Sequence, residues 1–292
     1  MTKLWGDHPL DSRIEEYTVG RDHILDQRLV VYDCRGSMAH ARMLGKVGLL
    51  VPQEVDSLVD ALAEIAAEAK AGDFPIRRSQ EDCHTAIEEA LVERLGDTGK
   101  KIHTGRSRND QVLTALRLYT KDAVAEMSRR VGELQSVVRS FANRYQKVPM
   151  PGYTHTRKAM PSTVGLWARA LVDSLQDDQR LLRAAHRIVD QSPLGTGAGY
   201  GVPLPLDRTM TARELGFDRV QKNPIYAQNS RGKFEATVLH AMGQVLFDLN
   251  RVASDLVLFS MPTFGYFHLP EAFCTGSSIM PQKRNPDVLE LV

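Results

Sequence analysis

The stretch FEATVLHAMGQVLFDLNRVASDLVLF, residues 234–259, decides the fold. Val238, Met242, Val245, Leu249, Val252, Leu256 and Phe259 recur at alternating steps of four and three, the period of one face of a helix. Leu239, Leu246 and Phe247 lie off that seam, so the helix is apolar on more than one face and has to be buried among several neighbours. Working outward, Asn109 to about Tyr145 contains no proline, and Val112, Leu116, Tyr119, Ala123, Met127, Val131, Leu134, Val138, Phe141 and Tyr145 keep helical spacing. At 1.5 Å per residue such a helix runs on the order of 55 Å. A third long segment carries Val164, Ala168, Leu171, Leu175, Leu182, Ala185 and Val189, with Asp178 the one polar residue in its seam. Helices of this length predict a bundle core completed by other copies of the chain.

Toward the N-terminus the helices shorten. Pro52 stands where a first turn begins, ahead of QEVDSLVDALAEIAAEAKAG, and Gly72 marks its end. Residues 22–45 and EDCHTAIEEALVERLG (81–96) read as two more. The expectation is an all-α chain, with an N-terminal helical domain over residues 1–105 and the long helices of a central bundle over 106–292. Strand signals are weak, and PTFGYFHLPEAF (262–273) is the place for a short extended piece.

Composition narrows the class. The 292 residues are 42% hydrophobic and 25% charged, as in soluble globular proteins. No apolar run approaches the ~20 residues of a membrane span, and MTKLWGDHPL has no apolar core of a secretory signal. Cys34, Cys83 and Cys274 are far apart and form no CxxC, which points to a reducing cytoplasm and away from structural zinc. A net charge of +1 argues against a nucleic-acid binder held by phosphate contacts. The expected partners are therefore a small molecule and the chain itself, with no membrane.

Polar, glycine-punctuated segments interrupt the helices at four places. GKKIHTGRSRNDQ (99–111) concentrates Lys100, Lys101, Arg106 and Arg108 at the start of the long helix. It reads either as a carboxylate or phosphate site or as a solvated basic turn. MPGYTHTRKAMP (150–161) uses Pro151, Gly152 and Pro161 to fix a turn that presents Thr154 and His155. A lone histidine is commonly structural, but a rigid loop between long helices is a good place for a functional one. SPLGTGAGYGVPLP (192–205) lacks the strand and the spacing of a dinucleotide loop and reads as a tight backbone turn. In TGSSIMPQKRNPD (275–287), a flexible Gly276-Ser277-Ser278 stretch meets Lys283 and Arg284, and Asn285 and Pro286 are expected to cap and open a helix. Physics alone makes this an anion-handling loop.

GSSIMPQKRNP resembles the GSSxMPxKxNP signature of the fumarase/aspartase superfamily. HTGRSRNDQV, MPGYTH, EDCH and the LWG opening resemble its argininosuccinate lyase family. The resemblance runs through the whole chain, yet members are substantially longer. It therefore implies a long-helix bundle incomplete at the C-terminus and lacking a third domain. It also implies a homotetramer with shared sites and a C–N lyase that needs no cofactor or metal. The reaction would be anti β-elimination of L-argininosuccinate to fumarate and L-arginine, in arginine biosynthesis.

The resemblance assigns roles position by position. Ser277 matches the base, Lys283 and Asn285 the groups that hold the substrate carboxylate, His155 the proton-moving histidine, and Glu290 the carboxylate that orients it. Thr154, Ser107, Arg108 and Asn109 match carboxylate-gripping positions, Asp26, Asp82 and His84 polar pocket positions, and Arg231 an arginine near the substrate. The chain departs from the commoner pattern at Asp7-His8-Pro9, Asp22, Thr156-Arg157 and NPIYAQNSRGK (223–233). Those departures leave room for another N-succinyl amine as substrate. A non-catalytic crystallin-like scaffold is the rival of another class, against which the joint retention of Ser277, Lys283, Asn285 and His155 speaks.

Overall fold

The computed structural model describes residues 11–292, so the LWG opening and Asp7-His8-Pro9 lie outside the described residues. In chain order the helices are α1 (Ser12–Val19), α2 (Asp22–Leu25), α3 (Val30–Lys46), α4 (Pro52–Ala71), α5 (Cys83–Leu95), α6 (Asp97–Lys100) and α7 (Arg108–Arg144). A hairpin of β1 (Pro149–Thr154) and β2 (Arg157–Thr163) precedes α8 (Val164–Val189). Then come β3 (Gln191–Ser192), α9 (Arg208–Glu214), β4 (Arg219–Val220), α10 (Pro224–Asn229), α11 (Lys233–Phe259) and α12 (Asp287–Glu290). The architecture is all-α apart from small strand pairs, and no described helix is long and apolar enough to cross a membrane. Contacts divide the chain into one unit of residues up to Asp122 with Val189–Arg231, and a second of Ala123–Ile188 with Gly232–Val292.

In the first unit, α3, α4 and α5 bury one face each. α4 starts at Pro52, and Gly72 ends it in the left-handed conformation that a residue without Cβ adopts freely. Asp82 caps α5 by accepting from the Thr85 N–H. Cys34, Leu44, Leu58, Leu62, Ile65, Ile87 and Leu91 are all but inaccessible. Each such aliphatic side chain contributes about 1.5–3 kcal/mol relative to an exposed one.

In the second unit, α8 buries Val164, Ala168, Leu171, Leu175, Leu182 and Ala185, the stripe its periodicity predicts. Ser128 donates to Gln179 at 2.6 Å and the Gln135 amide to the Val172 carbonyl at 2.9 Å, fastening the later part of α7 to α8. Trp167 donates to Asp255 at 2.8 Å, tying α8 to α11. Around Met150, Val164 and Phe259 the aromatic rings of Phe141, Tyr145, Tyr153, Phe264, Tyr266 and Phe267 close a separate cluster over the base of the hairpin.

The structure changes three local expectations. MPGYTHTRKAMP is more than a turn: it forms an antiparallel hairpin with Thr154 opposite Arg157 and a register irregularity between Pro151 and Tyr153. His155 and Thr156 form its tip with φ of 50° and 60°, as a two-residue hairpin turn of the I′ kind requires. Neither residue is Gly, and the paired prolines break the alternation, so the sequence carries no hairpin signature. Conversely, residues 262–273 form no strand; their one regular piece is a 3-10 turn, Glu271–Phe273. Asn285 does not cap the last helix, because its backbone N–H and C=O are both spent on Thr275, and α12 starts at Asp287 after Pro286.

Candidate active site

The first unit gathers polar groups around the start of α7. Ser107 and Asp110 cap the start of α7: the Ser107 N–H donates to Asp110 Oδ1 at 3.0 Å, and Ser107 Oγ accepts from the Asn109 N–H at 3.2 Å. Asp110 Oδ2 accepts from the N–H groups of Gly195 and Gly197 at 2.9 and 2.8 Å. Both glycines have positive φ, and a Cβ on Gly195 would stand 2.8 Å from Arg208, so the glycine-rich loop can wrap the carboxylate. Burial nonetheless pushes the Asp110 carboxyl up, against those three N–H donors and Arg106. The tight turn read in the sequence is therefore a backbone clamp that fixes Ser107, Arg108 and Asn109.

The side chains at this helix start face one another. Arg108 contacts Asp82 Oδ1 at 3.3 Å and hydrogen-bonds Thr85 Oγ1. Arg231 donates to the Asn109 carbonyl at 3.3 Å. Asp26 accepts from the Cys83 N–H at 3.3 Å, and burial pushes its carboxyl above the usual range. Two guanidinium groups at the positive end of a long helix make a surface whose charge suits a carboxylate.

Behind this surface runs a buried polar network that the sequence did not single out. His84, 1% exposed, places Nδ1 2.7 Å from Asp33 Oδ2. Gln111 donates to both Asp33 oxygens at 3.0 and 2.8 Å, Ser37 to Oδ1 at 3.1 Å, and Arg106 to Ser37 at 2.7 Å. Burial alone would raise Asp33, but His84, Arg106 and Gln111 outweigh it and hold the carboxyl below its ordinary value. Burial alone would lower His84, and Asp33 outweighs it in turn. His40 donates to the Thr104 carbonyl at 2.8 Å, and burial takes its pKa down to about 3, so it stays neutral. The signal for this network was present: Asp33 stands on the face of α3 that also carries Val30 and Ser37, and a charge there needs partners.

The second unit presents the other group of site residues. Thr275 and Asn285 exchange backbone hydrogen bonds at 3.0 and 2.9 Å, closing residues 276–284 into a loop. Within it, Ser277 Oγ accepts from the N–H groups of Met280 at 3.2 Å and Ile279 at 3.4 Å. Lys283 is exposed on the same loop, and its N–H donates to the Met280 carbonyl at 3.0 Å. Thr275 Oγ1 also bonds Asp287, joining the loop to α12, where Glu290 is exposed. Thr154 and His155 are exposed at the hairpin tip, and among the described residues no hydrogen bond links His155 to Glu290. Asp26, Asp82, His84, Ser107, Arg108, Asn109 and Arg231 thus belong to the first unit. Thr154, His155, Ser277, Lys283, Asn285 and Glu290 belong to the second.

Comparison with known proteins gives this geometry a context. Residues 8–292 match the model of a family described as Lyase. The chain is 54% identical over 291 residues to an argininosuccinate lyase of Thermotoga neapolitana, covering 99% of this chain and 73% of that one. A relative of the same name from Sorangium cellulosum is 50% identical, covering 97% of this chain and 66% of that one. Among solved structures, an EDDS lyase in complex with formate aligns with a TM-score of 0.84 at 28% identity, covering 97% of this chain and 56% of that one. The chain thus spans about two thirds of the length of the curated relatives it matches.

Proposed function

The chain belongs to the argininosuccinate lyase family, and from that premise we propose that it eliminates L-arginine from L-argininosuccinate in the anti sense, leaving fumarate. The observation that carries the mechanism is the environment of Ser277. A free serine hydroxyl is a poor base. Two backbone N–H groups aimed at Oγ, with Lys283 on the same loop, favour its ionised form. Ser277 then takes the proton from the carbon beside a carboxylate, and that carboxylate becomes doubly charged. Lys283 and Asn285 hold it as the charge grows, which is worth several kcal/mol in a water-poor site.

Ser107, Arg108, Asn109 and Thr154 grip the substrate carboxylates, with Arg231, Asp26, Asp82 and His84 completing the polar wall. His155, which Glu290 orients in the assembled site, gives a proton to the leaving nitrogen of the substrate's guanidinium as that nitrogen takes the C–N bond pair, so arginine departs with its guanidinium charge intact. The electrons of the broken C–H bond form the new double bond as the C–N bond breaks.

Sites assembled from several copies of a homotetramer fit the open helix faces of the second unit. Leu239, Leu246 and Phe247 on α11 are 67%, 57% and 53% exposed, and Leu166 on α8 is 64% exposed. Large apolar groups in such numbers on two long helices favour burial by further helices. Three free cysteines suit a reducing cytoplasm.

The test is release of fumarate and arginine from argininosuccinate by the purified protein, followed by ultraviolet absorbance and amino-acid analysis. Fumarate without arginine from another N-succinyl amine would favour the second reading, which the extra Arg157 beside His155 supports. No fumarate from any succinyl amine would leave the scaffold reading.

A further inference from the structure

We propose that Asp26, Cys83 and His84 form a binding site for a thiolate-preferring divalent cation of the zinc class. A carboxylate oxygen, the sulfur and a ring nitrogen of these residues lie within 4.8 Å of one another. Around a tetrahedral Zn²⁺, bond lengths of about 2.0–2.3 Å place such atoms roughly 3–4 Å apart. Small side-chain shifts therefore complete the geometry.

The surroundings are built as a metal site requires. With its Nδ1–H donating to Asp33, a neutral His84 carries its lone pair on Nε2. A carboxylate behind the ring is the usual outer partner of a metal-bound histidine, fixing the tautomer and strengthening the ligand. Asp33 is itself held by Gln111 and Ser37, so the ring is anchored. Cys83 is inaccessible and free of any disulfide, with its sulfur within 4.8 Å of an Asp26 carboxylate oxygen. Asp26 is also held against Cys83 by the Cys83 N–H at 3.3 Å. A sulfur, a nitrogen and one oxygen select zinc or cobalt over magnesium or calcium, which prefer oxygen alone.

Burial keeps the Cys83 thiol protonated without a cation. On binding, the S–H bond gives its proton to water as the sulfur–metal bond forms, any proton on His84 Nε2 leaves likewise, and no electron changes hands. Three protein ligands leave the fourth position to water. Asp26 and His84 also stand in the proposed substrate grip, so occupancy by the cation lowers turnover; this consequence alone rests on that reading.

Titration of the intact protein with Co²⁺ tests the site, read by the near-ultraviolet charge-transfer band of a cobalt thiolate. The wild type and Cys274→Ser should show the band saturating at one equivalent, with Zn²⁺ abolishing it by competition. Cys83→Ser and Cys83→Ala, two small substitutions for a buried side chain, should lose the band and bind at least tenfold more weakly. No band in the wild type, a band unchanged in both Cys83 variants, or its loss in Cys274→Ser overturns the proposal. A Cys83-dependent band with undiminished turnover sustains the cation site and removes Asp26 and His84 from the substrate grip.

Discussion

Two carboxylates, one in each unit, are equally hidden and oppositely treated. Asp33 is 2% exposed and Asp178 3%. Asp33 meets a histidine, an amide and a hydroxyl, and these hold its charge in the core of the first unit. Asp178 lies in the apolar seam of α8 with Oδ2 unpartnered, and its pKa is pushed up to about 6, first by burial and then by Asp248 and Asp177. A buried charge is tolerable when other elements bring partners and costly when they do not. The first unit satisfies its buried acid from within. The second leaves a buried acid oxygen without a partner, and it leaves broad apolar faces exposed, as expected of helices that further copies pack against.

The largest effect should separate chemistry from architecture. Ser277→Ala, in the second unit, should lower kcat by orders of magnitude while barely changing KM and thermal stability. Retention of more than about a tenth of kcat, less than ~1.4 kcal/mol of barrier, would sink the serine-base mechanism and leave His155 as the base. Lys283→Ala should instead damage both kcat and KM, since the cation holds the ground-state carboxylate as well as its doubly charged successor.

Next in size, Asp33→Ala should destabilise the first unit by about 3–5 kcal/mol, because His84 and Arg106 lose their buried counter-charge. Denaturant unfolding measures this, and a loss below about 1 kcal/mol would show that the network is not the stabilising element inferred here.

Asp178 should respond with the opposite sign. Its folded pKa of about 6 stands above the ordinary 3.8, so the folded protein keeps a proton that the unfolded chain has released. Stability should therefore fall as pH rises from about 4 to about 6 and stay lower above that window. Asp178→Asn should remove the slope and raise stability at pH 7 by on the order of 1 kcal/mol. A slope that persists in the variant would break the contrast with Asp33.

The smallest effect belongs to the hairpin tip. Thr156 is β-branched yet left-handed at φ 60°, a conformation that costs such a residue roughly 1–2 kcal/mol. Part of that gain on Thr156→Gly is offset by the greater freedom of glycine when unfolded, leaving about 0.5 kcal/mol of stabilisation. A variant that melts lower than wild type would mean the threonine side chain has a binding role in the fold.

Much of this was legible in the residues. The seam of Val238, Val245 and Phe259 specified a helix, and all three are buried in α11. The segments with clustered arginines and the GSSIMPQKRNP loop were recognisable as the candidate site, since charge and glycine stand out against helical background. The hairpin was not legible, because its tip is His-Thr where Asn-Gly would have announced the turn. Nor was the closing of the 276–284 loop, where Asn285 reads as a helix cap until its backbone is seen paired with Thr275.

The sequence by itself determined the helices, the family and the chemical character of each candidate side chain, because periodicity, turn residues and charge are local properties. Only the tertiary structure decided which polar groups become partners. Asp33 and His84 are 51 positions apart, Asp110 and Gly195 85, and Arg231 and Asn109 122. Such pairings depend on how apolar faces pack elements together, and no local pattern along the chain encodes them. The same packing gave Asp33 its partners and left Asp178, an equally polar residue in an equally apolar stripe, with Oδ2 alone.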